Sequence, residues 1–406
     1  MSTERLHLTD SLLLEFDARV VASGLHGTVP ALVLDRTAFY PEAGGQLGDR
    51  GLLRIGGRDI TVRDVQVDDA GVVHHLLEAP VAGLEAAVAQ GVVDERHRRD
   101  SMSQHTAQHM LSRAFFDAAG FETVSARLGS ETSTIDLKAS SIDRDVVARV
   151  EQRVNEAVLE DRPVHVLFPT PDELPALRLS KAPTVDRDIR VIAIDRFDAM
   201  PCGGTHCQRT GQVGPVHVLG LEKYKGLTRL SFVAGLRALN HFRATDALVR
   251  SVTATLTCTP AELAAVVARL KDDGKTKAQA LGHVRAELAR LLARQKLSET
   301  PPEATGTTWI FVERDGEDVE ALRAFSSALA SRADVVAVLT SRLPESTDRI
   351  VVVDRGASAS ADASKWLKSQ TSTVGGRGGG RPEHAEGRLP VSADWAAIER
   401  ATKAGS

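Results

Sequence analysis

Two pairs of side chains in this sequence are of metal-binding type and stand at matched spacing: His105 with His109, and Cys202 with His206. The first pair lies in 101–116, SMSQHTAQHMLSRAFF, where neither Gly nor Pro interrupts the run after Ser101. Ser101 followed by Gln104 has the form of a capping box, so the spacing predicts a helix opening near Ser101. Four residues make about one helical turn, which puts both imidazoles on one face, within reach of one ion. The second pair is Cys202-Gly-Gly-Thr-His206, a thiol and an imidazole with the same gap. Three imidazoles and a thiolate match zinc in ligand type and number. If all four bind at once the site is closed and structural. If one is displaced, a water in the open position is acidified toward neutrality. His105-Thr-Ala-Gln-His109 lacks the Glu beside the first His that marks zinc peptidases, which argues against peptide hydrolysis. Candidate polar helpers are Thr37, Gln46 and the loop amides around 203–205.

The chain that must position these groups has 406 residues, enough for roughly two to four domains with their own cores. Hydrophobic residues make up 42% and charged residues 26%, the balance of a soluble globular protein. With a formal net charge of -4 there is no global positive field, so any nucleic-acid contact must come from local basic patches. Of three cysteines, two sit in the candidate metal loop; a disulfide framework is not expected and a cytoplasmic location is. No stretch reads as a signal peptide or membrane anchor.

Residues 1–90 alternate apolar and polar in short runs (31–35, 60–67, 72–77), which predicts a small antiparallel β-barrel-like domain. Within it, Thr37-Ala-Phe-Tyr-Pro-Glu-Ala-Gly-Gly-Gln46 runs on to Gly48, Asp49 and Gly51. Taken alone, this glycine-rich stretch reads as an ordinary hairpin loop. Residues 91–240 form an α+β block holding both ligand pairs. Its helix is expected to stop near Gly120, with strands at Ser133–Leu137, 189–194 and Leu227–Ala234 and a helix at Arg144–Leu159. Residues 241–298 turn helical, as a hairpin or one long spacer, with a start signal at Thr259-Pro-Ala-Glu262. After the linker 298–306, residues 299–406 make an α/β unit. The fold class is therefore α+β.

Three basic stretches stand out. Residues 374–382 surround Arg377 and Arg381 with glycines; the guanidinium groups could pair with phosphates or stack on bases, while by composition alone the stretch reads as a flexible linker. Arg96, His97, Arg98 and Arg99 form one small cluster, and Lys223, Lys225 and Arg229 another; each reads as a solvated face. Cys207 is expected to be a bystander and Cys258 a buried small apolar residue.

Together these motifs resemble a known family. Thr37–Gln46 with Asp49, His105-Thr-Ala-Gln-His109 and Cys202-Gly-Gly-Thr-His206 occur in the order found in the alanyl-tRNA editing proteins of the stand-alone AlaX type. Those are similar to the editing and C-terminal parts of alanyl-tRNA synthetase. Residues 374–382 resemble the glycine-rich stretch of the synthetase's C-terminal domain, so the likeness covers nearly the whole chain and implies the long form. It implies a hydrolase that deacylates mischarged tRNA(Ala), chiefly Ser-tRNA(Ala) and secondarily Gly-tRNA(Ala). His105, His109, Cys202 and His206 would hold Zn2+, and Thr37 would recognise the serine hydroxyl beside a polar Gln46. Arg377 and Arg381 would bind tRNA, in a domain that also supports a homodimer. The motifs differ from the family's in Leu47, where Pro is frequent, and in Arg377, where Lys is. With no activation domain ahead of the editing block, hydrolysis rather than synthesis is expected. Alternatives are a deacylase for another amino acid, and a non-catalytic tRNA-binding protein with structural zinc.

Overall fold

The computed structural model describes residues 3–81, 83–177, 179–183, 185, 187–303, 306–344 and 346–404. They divide into two units, Met1–Val252 and Thr253–Ser406. After a two-residue strand at Glu4–Arg5 and a single turn at Leu6–Leu8, the first unit continues with strand β1, Glu15–His26, in which Phe16, Ala18 and Val20 are buried and Glu15, Asp17 and Arg19 exposed. That period-2 alternation lays one face on a core and leaves the other in water. With β2 (Val29–Leu34), β3 (Gly51–Ile55), β4 (Arg58–Val67), β5 (Val73–Leu77) and β6 (Val88–Val93) it closes a barrel in the order β1-β2-β5-β4-β3-β6. All its pairings are antiparallel. Phe16, Leu32, Phe39, Leu53, Val62 and Leu77 fill it.

From the barrel the chain enters helix α1, Glu95–Ala119. It starts earlier than the Ser101 signal because Asp94 is the N-cap, its carboxylate accepting from the His97 amide at 3.1 Å. Gln104 is not a capping partner. Its amide donates to the Ala234 carbonyl and accepts from the Ala234 amide, both at 2.9 Å. Gly120 ends the helix in the left-handed conformation (φ 69°), as expected. Residues 101–112 of α1 are all buried, so this helix is the central pillar of the unit.

Around it stand β7 (Thr123–Leu128), β8 (Ser133–Leu137), helix α2 (Arg144–Leu159), and strands β9 (Val164–Leu167), β10 (Val191–Ile194), β11 (Asp198–Pro201), β12 (Val216–Tyr224) and β13 (Leu227–Ala234). One antiparallel sheet runs β12-β13-β8-β7 and another β9-β10-β11. Met102, Leu111, Phe115, Ile135, Val154 and Phe232 join helices and sheets in one core. Helix α3 spans Leu236–Leu256.

The second unit opens with α4, Leu263–Ser298, a single 36-residue helix that runs through Gly274 and Gly282. Thr259 donates through its amide and hydroxyl to the Glu262 carboxylate (2.9 and 2.7 Å), but that turn precedes the helix, which begins at Leu263. A five-stranded sheet follows from β14 (Thr308–Glu313), β15 (Val335–Arg342), β16 (Asp348–Arg355), β17 (Arg377–Gly380) and β18 (His384–Pro390), in the order β14-β15-β16-β18-β17. Only β14 and β15 are parallel. Helices α5 (Val319–Leu329), α6 (Ala363–Val374) and α7 (Trp395–Ala404) complete it. Leu322, Phe325 and Leu329 of α5 pack with Ala337 and Val352, whereas Leu367 of α6 and Trp395 of α7 pack with Val336, Val338 and Val353. The sheet is thus covered on both faces.

The stretch 374–382 is not a linker. It forms the edge strand β17, paired antiparallel with β18. Its glycines permit that approach: a Cβ at Gly378 would come within 2.9 Å of the Gly387 Cα. Cys258 is only half-buried. No helix among the described residues is long and apolar enough to cross a membrane.

Candidate metal centre

Helix α1 places His105 and His109 one turn apart, with ring centroids 5.1 Å apart. The other pair arrives through the β10–β11 hairpin. Val191 sits opposite Pro201, and the Cys202 amide donates to the Arg190 carbonyl at 3.0 Å, so Cys202 leaves the sheet edge in a fixed direction. The loop then turns His206 onto α1, its ring 4.3 Å from that of His105 and 4.6 Å from that of His109. Cys202 Sγ lies 3.5 Å from His105 Nε2 and 3.3 Å from His206 Nε2, and ligand atoms of all four residues lie within 4.8 Å of one another. Donors about 2.0–2.3 Å from one tetrahedral ion stand roughly 3.4–3.7 Å apart. The set therefore fits a single metal ion.

Gln46, from the glycine-rich stretch, holds the set from behind. Its Oε1 accepts from the Thr205 amide at 3.1 Å and from His105 Nδ1 at 2.7 Å, while its Nε2 donates to the Thr205 hydroxyl at 2.8 Å. An oxygen acceptor at Nδ1 fixes the proton there, which leaves the Nε2 lone pair turned toward the sulfur. Thr106 does similar work for His206, its hydroxyl 3.3 Å from Nδ1 while also accepting from the Cys207 amide at 3.1 Å. Cys207 itself is buried, and burial pushes its thiol up to about 11. Gly204 has no room for a side chain, since a Cβ there would overlap the His105 ring and come within 2.9 Å of Gln46 Oε1.

Burial pushes the pKa of His105, His109 and His206 down, reinforced at each by the Arg190 charge and at His105 and His206 by the neighbouring rings. All three are neutral with lone pairs free. Burial pushes the Cys202 thiol up, partly offset by the Gly204 amide and Arg190, so a bound cation would have to stabilise the thiolate.

Within the glycine-rich stretch Ala43 and Gln46 exchange backbone hydrogen bonds (3.2 and 3.0 Å) across Gly44-Gly45, a tight hairpin turn as the stretch alone suggested, but one built into the site. Thr37 through Tyr40 are buried, and Gln46 bridges to Leu128. The Thr37 hydroxyl lies 2.8 Å from His75 Nε2 and accepts from the Phe39 amide at 3.1 Å. His75 Nδ1 faces the Leu32 carbonyl at 3.1 Å and so carries the proton; Thr37 must then donate to Nε2. Burial lowers the His75 pKa to about 4, against the raising effect of that carbonyl bond. Asp49 is fully buried and paired with Arg98, which also donates to the Ser11 and Ala38 carbonyls, each at 2.6 Å. Arg98 therefore does not belong to a solvated face. Arg229 does not either, since it pairs with Asp136 at 2.7 Å and stacks on Tyr224.

A groove of about 1160 Å³ runs along the start of α1, lined by Arg50, Arg63, Arg96 and Arg99 but also by Asp64, Asp94, Glu95 and Asp100; none of the four ligand residues lines it. In the second unit, Arg377 on β17 and Arg381 in the following turn are exposed. Arg377 stands opposite Arg388, and both line a smaller groove of about 470 Å³. Arg98, His75, Thr106 and Arg190 carry the site's support yet have no pattern in the sequence, whereas the Thr205 amide belongs to the 203–205 loop expected to supply polar helpers. The one pointer was Asp49, an acidic residue inside a motif destined for burial.

A closed barrel joined to an α+β layer that presents three histidines and a cysteine in one cluster defines a candidate metal-binding module. Residues 7–96 match the family model described as tRNA synthetases class II (A), and residues 189–231 that of the threonyl and alanyl tRNA synthetase second additional domain. The alanine–tRNA ligase of Thermococcus kodakarensis is 31% identical over 407 residues, 98% of this chain and 43% of that protein. Those of Halobacterium salinarum (31%; 83% and 37%) and Pyrococcus furiosus (30%; 95% and 42%) are similar. The solved C-Ala domain of Aquifex aeolicus alanyl-tRNA synthetase aligns at 19% identity with a TM-score of 0.22, over 24% of this chain and 88% of that one. These matches are alanyl-tRNA synthetase-like over most of this chain and are consistent with an AlaX-like protein. It spans less than half the length of the curated relatives it matches.

Proposed function

We propose that this chain is a zinc-dependent trans-editing hydrolase that deacylates mischarged tRNA(Ala), chiefly Ser-tRNA(Ala) and secondarily Gly-tRNA(Ala). The observation that carries the reading is the buried set of three neutral imidazoles and one thiol, held by Gln46 of the glycine-rich stretch. Three imidazole nitrogens and one thiolate sulfur form a borderline-soft donor set that suits Zn2+. Bound there, zinc would supply Lewis acidity toward the ester carbonyl or a water. Gln46 keeps His105 in the ligating tautomer, and Gly204 leaves room for that ring. Thr37, whose proton is committed to His75, can meet a substrate hydroxyl only as an acceptor, so serine would donate to it. Alanine would leave the second lone pair of that oxygen, the one not accepting from the Phe39 amide, without a donor, a stronger ground for discrimination than an apolar pocket provides.

In this reading Arg377 and Arg381 contact tRNA from a C-terminal domain (299–406). The barrel (1–90) and metal domain (91–240) form the editing site, and 241–298 is the spacer. The exposed Val267, Leu270, Val284, Leu288 and Leu291 of α4 suit a homodimer, and a cytoplasmic location suits the substrate. One observation favours a second reading. All four metal positions can be filled by protein, the arrangement of a structural site, which would make this a non-catalytic tRNA-binding protein. Deacylation of Ser-tRNA(Ala) and Ala-tRNA(Ala) by wild type and Cys202→Ala separates the two. The editing reading expects loss of serine alone, reduced by at least about 10³-fold in the variant. A folded, zinc-loaded protein that binds tRNA(Ala) and cleaves neither ester overturns it in favour of the second. Cleavage of another mischarged tRNA instead would redirect the substrate.

A further inference from the structure

Two arginines of the first unit are withdrawn from water, and they are treated differently. Arg98, with no exposure, is neutralised by Asp49. Arg190 is only 6% exposed and has no ion-pair partner among the described residues. Its Nε donates to the Leu8 carbonyl at 2.8 Å, and its Nη1 to the carbonyls of Cys202 (2.6 Å) and Gly204 (2.9 Å). Its Nη2 is buried with no acceptor. Three carbonyls thus lock the guanidinium against the metal loop while one amino group remains unused. Residue 7, next to the Leu8 that Arg190 grips, repeats the pattern: His7 is buried, its Nδ1 has no partner, and its ring packs edge-on to Tyr40 at 5.3 Å. The ligand set contains no carboxylate. A buried cation without a counter-charge is costly, and a buried donor without an acceptor calls for an explanation, of which a ligand is one.

We propose that Arg190 is an anion receptor of the site, its Nη2 taking the acyl oxygen of the substrate. The proposal rests on the deacylase reading for the identity of that oxygen. Water adds to the acyl carbon and the carbonyl electron pair moves onto oxygen. Collapse then restores the double bond as the bond to the ribose oxygen breaks; that oxygen takes a proton from the adding water, and the released acid ionises. Arg190 gives up no proton at any stage. It receives the oxygen as its charge grows and still faces it in the carboxylate product.

The test uses full-length protein with metal content measured in every sample. Calorimetric titration compares L-serine, L-serinamide and inorganic phosphate on wild type, Arg190→Gln and Arg190→Lys. Serine binding at least about tenfold tighter than serinamide in wild type, and lost in Arg190→Gln at unchanged metal content, supports the proposal. Arg190→Lys guards against loop collapse: it keeps the charge near the carbonyls but lacks Nη2, so it should retain metal and melting temperature yet bind serine weakly. Deacylation by Arg190→Lys should show kcat down about 100-fold with KM nearly unchanged. Equal binding of serine and serinamide by wild type overturns the proposal, as does full kcat in Arg190→Lys, and both leave the deacylase reading standing. Phosphate competing in place of serine overturns the acyl assignment in favour of a nucleic-acid phosphate. If wild type cleaves no ester but binds serine through Arg190, the editing reading fails and the receptor survives.

Discussion

The molecule contains two glycine-rich stretches of similar composition, 37–51 in the first unit and 374–382 in the second, and they use glycine for opposite ends. In the first, a Cβ at Gly45 would overlap the Ala126 carbonyl and one at Gly48 would come within 2.6 Å of the Val65 carbonyl. The chain threads inward there, and Thr37, Gln46 and Asp49 are buried with their hydrogen bonds committed. In the second, glycines let an edge strand lie close to its neighbour while Arg377 and Arg381 remain in water. Glycine content therefore signals that backbone approaches something. Whether the flanking polar groups are buried decides if the result is a scaffold for chemistry or an exposed contact surface.

If the first stretch is a buried scaffold, its anchor should be the costliest part to lose. Arg98→Met should lower stability by about 3–5 kcal/mol, read as a urea midpoint, because Asp49 is left charged and unpaired. A loss below about 1 kcal/mol would mean that Asp49 finds water. Next comes the contrast between neighbouring glycines. Gly45→Ala combines positive φ (85°) with backbone overlap and should cost about 3 kcal/mol, whereas Gly44→Ala, at φ 59° with nothing within 4 Å, should cost about 1. Gln46→Ala should weaken metal affinity about 10–100-fold in a chelator competition while leaving the fold intact.

The smallest effect belongs beside the second stretch. Burial pulls the pKa of His384 down, but hydrogen bonds and charge from Asp354 and Glu386 outweigh it, so the folded value lies above the ordinary 6.5. Protonated His384 thus stabilises fully below about pH 6.5 and the contribution fades as pH rises through the folded pKa. NMR titration of the His384 ring should find that raised value, and His384→Asn should flatten the decline in denaturation midpoint over the same range.

What could be read in advance follows the same division. Regular patterns were legible: the alternation of the barrel strands, the limits of α2, the stop at Gly120, and four ligand residues at matched spacing that the fold brings together. Single polar residues were not, because their role exists only once distant segments meet. Gln104 looked like a capping residue and is bound to Ala234 instead. Arg98 sat among basic neighbours that suggested a solvated face. Residues 374–382 looked like a linker because strand pairing is a property of the partner, and His384–Pro390 shows no alternation of its own.

The Asp49–Arg98 pair also bears on how the chain acquires its structure. The segment leading into β3 buries a carboxylate whose counter-ion is delivered by the helix that follows the barrel strands. A nascent or excised barrel would carry that charge without its counter-ion. Closure of the barrel and docking of α1 are therefore coupled steps, and the N-terminal sheet has little folding autonomy until residue 98 is in place.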